Sequence, residues 1–344
     1  MAIAAHVKNS VRRLGNRTAL SCAAIVLAVS CLAVRAPAAA PPADGRCIVV
    51  DSDAGLDDFR AVAALAATNR IVAIVVTEGL ARPVEGAGAM EALLKRAGLS
   101  IPVLVGASPN PTRRYRPDAR LAEWRSNTER LNGILAAPVA ATDQPVNDIT
   151  LAMRERTVGC DRISVLVIGP WTSFMRYATD ILSRIDRIIA QGRPYPDETG
   201  GLPSGFNCLY DEDACLAAFD LLVGRQQRAG RRVRADWVDI PTSPESCGSA
   251  EPGIDAQGRT LYAFTPVEEW IPELDRAGGM ARVVADVLRA NPAGWAQTSL
   301  WDDLAVLYMI RPALFGVRGG HFEPCVPAST VRHILTDIMG SVGH

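Results

Sequence analysis

Cys47-Ile48-Val49-Val50-Asp51-Ser52-Asp53-Ala54-Gly55-Leu56-Asp57-Asp58, running on into Phe59-Arg60-Ala61-Val62-Ala63-Ala64-Leu65, decides how this chain folds. The apolar run reads as a buried strand and the segment after Asp58 as a helix, with four carboxylates packed into the eight residues between Asp51 and Asp58. Like charges held that close oppose folding unless a cation, a proton or a helix N-terminus compensates them. Gly55 lets the backbone turn sharply, so that several carboxylates converge on one point. Hard oxygen ligands of this kind suit calcium or magnesium, and calcium tolerates the flexible geometry of a loop. An EF-hand is excluded, because its twelfth position, counted from Asp51 or Asp53, falls on Val62 or Ala64. Asp57 and Asp58 also have a plainer reading, as acids that favour a helix N-terminus.

Outward from this stretch, short apolar runs alternate with helical periodicity. Strands are predicted at Cys47–Val50, Ile71–Thr77, Pro102–Gly106, Ile163–Ile168, Arg187–Ile189 and Arg232–Ile240, and helices at Asp58–Ala67, Val84–Ala97, Asp213–Val223 and Gly279–Ala290. Continuously apolar strands separated by amphipathic helices predict an α/β fold, a Rossmann-like and mostly parallel central sheet with helices on both faces. Ligands in such sheets bind at the carboxyl ends of the strands, where the aspartate loop lies. Ser108–Gln144 and Pro241–Thr265 read as irregular, long enough to be lids or substrate loops. No linker or repeat divides the chain, so residues 45–344 read as one domain.

The first 40 residues differ from the rest. They hold Lys8, Arg12, Arg13, Arg17 and Arg35, no acid, and the uncharged stretch Ala19–Val34, followed by the small-x-small site Ala36-Pro37-Ala38. The stretch falls short of the ~20 apolar residues that cross a bilayer and reads as a secretory signal peptide, with an uncleaved membrane anchor as the alternative; the first predicts an exported, periplasmic or secreted protein with no stable membrane span after processing. Removal of these five cations leaves 31 Lys and Arg against 37 Asp and Glu, a formal charge of −6. A mildly acidic chain with no basic run offers no footprint for nucleic acid, which leaves a small-molecule ligand; a homo-oligomer stays open. Cys47, Cys160, Cys208, Cys215, Cys247 and Cys325 remain, none in a CxxC pair, compatible with disulfides in any of about 15 pairings. Cys208 and Cys215 flank Asp211-Glu212-Asp213, which reads as a helix start with Asp211 as N-cap, so they either clip a strand end to that helix or stay unpaired.

Val49 to Asp58 resembles the DxDxGxDD signature of the inosine-uridine-preferring nucleoside hydrolases, with Ala54 where proline is usual. The resemblance continues through Ile74-Val75-Val76-Thr77-Glu78-Gly79 and Ile101-Pro102-Val103-Leu104-Val105-Gly106-Ala107. Leu166-Val167-Ile168-Gly169-Pro170-Trp171-Thr172 is similar to the family's GPLTN turn, Gly205-Phe206-Asn207 to its EFN, and Trp301-Asp302-Asp303-Leu304-Ala305 to its HDPLA segment. The resemblance implies the nucleoside hydrolase fold and hydrolysis of the N-glycosidic bond of ribonucleosides to ribose and free base. It implies one Ca2+ held by Asp53, Asp58, Asp302 and the carbonyl of Ile168. Ribose hydroxyls would dock there beside Asp57 and Asn207, with Asp53 as the general base. Elementary chemistry agrees, since calcium acidifies a bound water, a carboxylate can take its proton, and carboxylates stabilise an oxocarbenium-like transition state.

Three departures bear on the substrate. Leu80 stands where an asparagine is usual and Gly205 where the EFN glutamate is, so either the alignment slips by a residue or two or the grip on the 5′ end of the sugar is rebuilt. Trp301 replaces the general-acid histidine and resembles the purine-specific branch, where a tryptophan stacks on the base. Trp124 is either the opposing face of a base sandwich or a tryptophan packed under a loop. Two other classes compete. A strand followed by Asp-x-Asp also opens the haloacid-dehalogenase phosphatases, with Asp51 as nucleophile, but that chemistry needs a lysine and Lys95 is the only one after residue 40. The second is an exported calcium-binding protein of this fold with lost or altered activity.

Overall fold

In the first strand the side chains alternate between two cores: Ile48 and Val50 face one, Cys47 and Val49 the other. That period-two division places helices on both faces of the sheet. The computed structural model describes residues 44–110, 119–135, 149–192, 205–229, 233–241, 267–295, 299–318 and 320–342. The signal-peptide reading of residues 1–40 therefore lies outside the described residues, as does Pro241–Thr265 apart from Pro241. Residues Ala38–His344 group as one compact unit.

The strands are β1 Arg46–Ser52, β2 Ile71–Val76, β3 Val103–Val105, β4 Arg162–Val167, β5 Ile185–Gln191, β6 Arg234–Val238, β7 Phe315–Arg318 and β8 His321–Pro324. They form one sheet in the order β3-β2-β1-β4-β5-β6-β8-β7, parallel except for β7. All six predicted strands are present; the β7–β8 pair at the far edge is an addition. The helices are α1 Leu56–Ala66, α2 Pro83–Arg96, α3 Ala119–Leu135, α4 Ile149–Thr157, α5 Thr172–Ile181, α6 Phe206–Tyr210, α7 Glu212–Ala229, α8 Val267–Ala277, α9 Gly279–Ala290, α10 Pro292–Trp295, α11 Trp301–Ile310 and α12 Ala328–Gly340. One core gathers side chains of α1, α2, α3, α8, α9, α11 and α12, the other those of α4, α5, α6 and α7.

The stretch read as irregular after β3 contains α3, a helix of 17 residues. Its buried positions, Leu121, Asn127, Thr128, Leu131, Asn132 and Leu135, follow helical spacing, but three of them are polar. That interruption of the apolar stripe hides the helix from a periodicity reading.

Two features aim the sheet at a ligand. The chain runs outward from β1 to β2 and β3, then returns to place β4 on the other side of β1, so the strand order reverses between β1 and β4. Such a switch point opens a crevice at the strands' carboxyl ends. There Asp51 pairs with Val167 in register, and the Ile168 N–H bonds the Asp51 carbonyl at 2.8 Å. The second feature is burial. All 11 residues of α1 are buried, as are Asp302 to Tyr308 of α11, and the two helices pack against each other with acids in their first turns.

Candidate active site

The β1–α1 turn is held by its own carboxylates. Asp58 Oδ1 accepts from Ser52 Oγ at 2.5 Å and from the Asp53 N–H at 3.1 Å, while its Oδ2 accepts from the Gly55 N–H at 3.0 Å. Asp58 thus caps α1, as the plainer reading of this acid requires, and still reaches the cavity. Asp53 accepts from the N–H groups of Gly55 at 3.2 Å and Leu80 at 3.0 Å. Ala54 between them takes φ of +50°, a left-handed conformation that costs a non-glycine residue roughly 1–2 kcal/mol and that proline's ring forbids. The alanine that stands where the resemblance has proline fits the backbone found here.

Asp53 is also pressed by backbone. A Cβ on Gly79 would lie 2.1 Å from Asp53 Oδ2, and one on Gly169 would lie 2.7 Å from the Asp53 nitrogen. Only glycine permits this approach from β2 and β4 at once.

The eight residues singled out in the sequence, Asp53, Asp57, Asp58, Trp124, Ile168, Asn207, Trp301 and Asp302, line one cavity. Leu80 and Gly205 are on its wall too, at the positions where the departures were noted. Asp57, Asp58 and Asp302 each bring an oxygen within 4.8 Å of the others. Asp53 stands beside this trio, so the converging set contains Asp57 where the resemblance names Asp53. Asn207 Nδ2 donates to the Ile168 carbonyl and to Gln191 Oε1, each at 3.0 Å.

Burial and mutual repulsion dominate the electrostatics. Burial pushes Asp53 up to about 6 and Asp57 to about 7. Asp58 and Asp302 are held well above the usual carboxylate range, first by burial and then by the neighbouring aspartates. Nearby guanidinium groups offset this only in part, Arg60 acting on Asp57 and Arg125 on Asp53 while both hold other partners. Arg60 Nη2 pairs with Asp303 Oδ2 at 2.6 Å and donates to the Ser299 carbonyl at 2.8 Å, both side chains of the pair being buried. Arg125 Nη2 donates to the Gly79 carbonyl at 2.6 Å and to Tyr210 Oη, and lies 3.7 Å from Glu78 Oε1. Four buried carboxylates short of positive charge and offering only hard oxygens fit a divalent cation of the calcium or magnesium class.

Several neighbours are absent from the sequence reading. Gln191 and Asp239, at the ends of β5 and β6, and Thr128 of α3 line the cavity, and no local motif marks any of them. Trp124 and Trp301 meet edge to face, centroids 5.9 Å apart and planes at 65°, so they touch each other rather than forming two parallel walls. This corrects the sandwich reading of Trp124. The phosphatase alternative fails on geometry. Asp51, its nucleophile, is buried against Thr77 at 2.5 Å and Tyr177 at 3.1 Å and is not on the cavity, and Asp303 is taken by Arg60.

Cys208 and Cys215 are bonded, as are Cys47 and Cys160. Asp211 Oδ1 accepts from the Ala214 N–H at 3.2 Å, the expected N-cap of α7, and its other oxygen accepts from Thr172 Oγ1 at 2.5 Å. The α6 turn that carries Asn207 is thereby tied to α7 and to the β4–α5 turn. Among the described residues no helix is long and apolar enough to cross a membrane.

The α/β sheet thus carries a buried carboxylate cluster at its switch point, where ligands bind in such sheets. No family model matches the chain, and no curated protein matches it in sequence. Solved structures match its fold. The inosine-uridine preferring nucleoside hydrolase from Bacillus anthracis has a TM-score of 0.54 at 16% identity, over 85% of this chain and 99% of that one. The purine-preferring ribonucleoside hydrolase from Gardnerella vaginalis has 0.55 at 15% identity, over 86% and 99%. A crystallised effector protein has 0.56 at 16% identity, over 86% and 93%. The chain has the nucleoside hydrolase fold.

Proposed function

We propose that this chain is a nucleoside hydrolase that breaks the C1′–N bond of ribonucleosides, purine ribosides by preference, and that it depends on Ca2+. The observation that carries the reading is the meeting of Asp53, Asp57, Asp58, Asp302, the Ile168 carbonyl, Asn207 and Trp301 on one cavity at the sheet's switch point. Asp57, Asp58 and Asp302 would hold the cation, with Asp53 and the Ile168 carbonyl beside them. A cation bound there supplies an acidified water and a seat for vicinal hydroxyls. The chain's own groups do the rest. Asp53, fixed by two backbone N–H groups and two glycines, takes a proton from water as oxygen bonds to C1′. The carboxylates around it stabilise the positive charge that develops on the sugar. Both donors of the Asn207 amide are engaged, which leaves its Oδ1 to accept from a sugar hydroxyl. Trp301 packs against the base, and the departing nitrogen takes its proton from solvent.

The test is a panel of purine and pyrimidine ribosides, with released reducing sugar as the readout. About one calcium per chain and turnover of at least one riboside are expected, and Asp53→Asn should cut kcat by about 100-fold or more with circular dichroism unchanged. A second reading has one observation in its favour. Leu80 puts an apolar side chain, and Gly205 none, on the cavity wall, which favours an exported calcium-binding protein of this fold with lost or altered activity. Calcium bound with no sugar released from any riboside would decide for that reading. Export after loss of residues 1–40 is part of both proposals, and the bonds Cys47–Cys160 and Cys208–Cys215 support an oxidising compartment.

A further inference from the structure

A threonine inside a helix usually satisfies its hydroxyl on the carbonyl four residues back. Thr157 does so with Met153 at 2.8 Å and Thr336 with Arg332 at 2.9 Å. Thr128 of α3 does not. The carbonyl of Trp124 stands one turn earlier, yet among the described residues Thr128 Oγ1 has no hydrogen-bond partner. The residue is fully buried and still lines the cavity, alongside Trp124 from the same helix and Trp301. A buried hydroxyl that forgoes its local partner keeps its hydrogen-bonding capacity for whatever fills the cavity. The helix that carries it is fixed in place. Arg125 ties α3 to the Gly79 carbonyl and Tyr210, and the Asn127 carbonyl accepts from Asn291 Nδ2 at 3.1 Å. The hydroxyl is therefore presented by a preorganised surface at the tryptophan side of the site.

We propose that Thr128 Oγ1 hydrogen-bonds the heteroatom edge of the leaving base, which makes Thr128 a specificity-determining residue that favours nitrogen-heterocyclic leaving groups over apolar aromatic ones. The proposal rests on the nucleoside hydrolase reading above. A purine offers ring nitrogens and an exocyclic group that can pair with one hydroxyl as acceptor or donor. Phenoxide, the leaving group when the C1′–O bond of a phenyl riboside breaks, is of similar flatness and satisfies the tryptophans, but its ring edge bears no heteroatom and leaves the hydroxyl unpaired, and sites discriminate against ligands that strand a buried polar group.

The calcium-loaded protein and its Thr128→Val and Thr128→Ser variants are compared on inosine and on phenyl β-D-ribofuranoside. The ratio of kcat/KM for inosine to that for the phenyl riboside should fall about tenfold in Thr128→Val and recover in Thr128→Ser. The melting temperature of Thr128→Val should not drop, since the hydroxyl has no protein partner to lose. An unchanged ratio overturns the proposal, as does a loss of stability without a change of ratio. If the wild type binds calcium but releases sugar from neither compound, the nucleoside hydrolase reading fails and inosine binding by calorimetry decides on Thr128 alone. Binding about tenfold weaker in Thr128→Val then supports the role, and equal or absent binding overturns it.

Discussion

On one side of the cavity, Asp53, Asp57 and Asp58 come from a single turn, buried, with backbone N–H groups or the first turn of a helix fixing them. On the other, Trp124 and Thr128 come from α3, which contributes single side chains to a wall otherwise shared with distant segments. The difference lies in how much each side leaves unsettled. Excess negative charge on the first wall is relieved by a proton or a cation, and several hard oxygens facing one cavity favour the cation, so its chemistry is narrowly determined. The second wall is made of ring faces and a hydroxyl that many ligands can meet, so it can change without disturbing the first.

Four substitutions strain this contrast in decreasing order of effect. Asp53→Asn, described above, removes the base. Behind the carboxylate wall, Arg60→Ala strands buried Asp303 and should cost about 3–5 kcal/mol in urea unfolding; a cost below about 1 kcal/mol would mean that Asp303 finds water. Gly79→Ala pushes a methyl into the carboxylate of Asp53 and should lower kcat about 100-fold at near-native stability, because a displacement of about 1 Å is enough for such a loss. Full activity would show that the turn yields and that the first wall is softer than its packing implies. Trp124→Ala should raise KM for purine ribosides about tenfold and leave kcat within about twofold, the mark of a residue that binds without taking part in the chemistry. A matching loss of kcat would merge the two walls into one functional unit.

The carboxylate wall was legible in the sequence because its residues are contiguous and their repulsion is a local fact. The six parallel strands were legible for the same reason, each being an apolar run bounded by turns. The α3 wall was not. Thr128, Asn127 and Asn132 interrupt its buried stripe with polar groups, so its periodicity reads as loop even though Trp124 stands out within it. Gln191 and Asp239 carry no motif, and only the parallel pairing of β5 and β6 brings their ends to the site. The β7–β8 pair is two strands of four residues each, too short to show alternation. Trp301 and Asp302 were found because their segment resembles a known one, not because spacing connects them to Asp58, 244 positions away.

The Cys47–Cys160 bond acquires mechanical meaning from its place in the sheet. It joins the entry to β1 with the turn before β4, at the opposite end of those strands from Asp53 and Ile168. The seam between β1 and β4, where the strand order reverses, is thus riveted at its base while its upper lips form the cavity floor. Shear between the two half-sheets, which would change the gap between Asp53 and the Ile168 carbonyl, is opposed by this link as well as by the backbone ladder. The bond thus adds a covalent link to the β1–β4 pairing that carries the cavity floor.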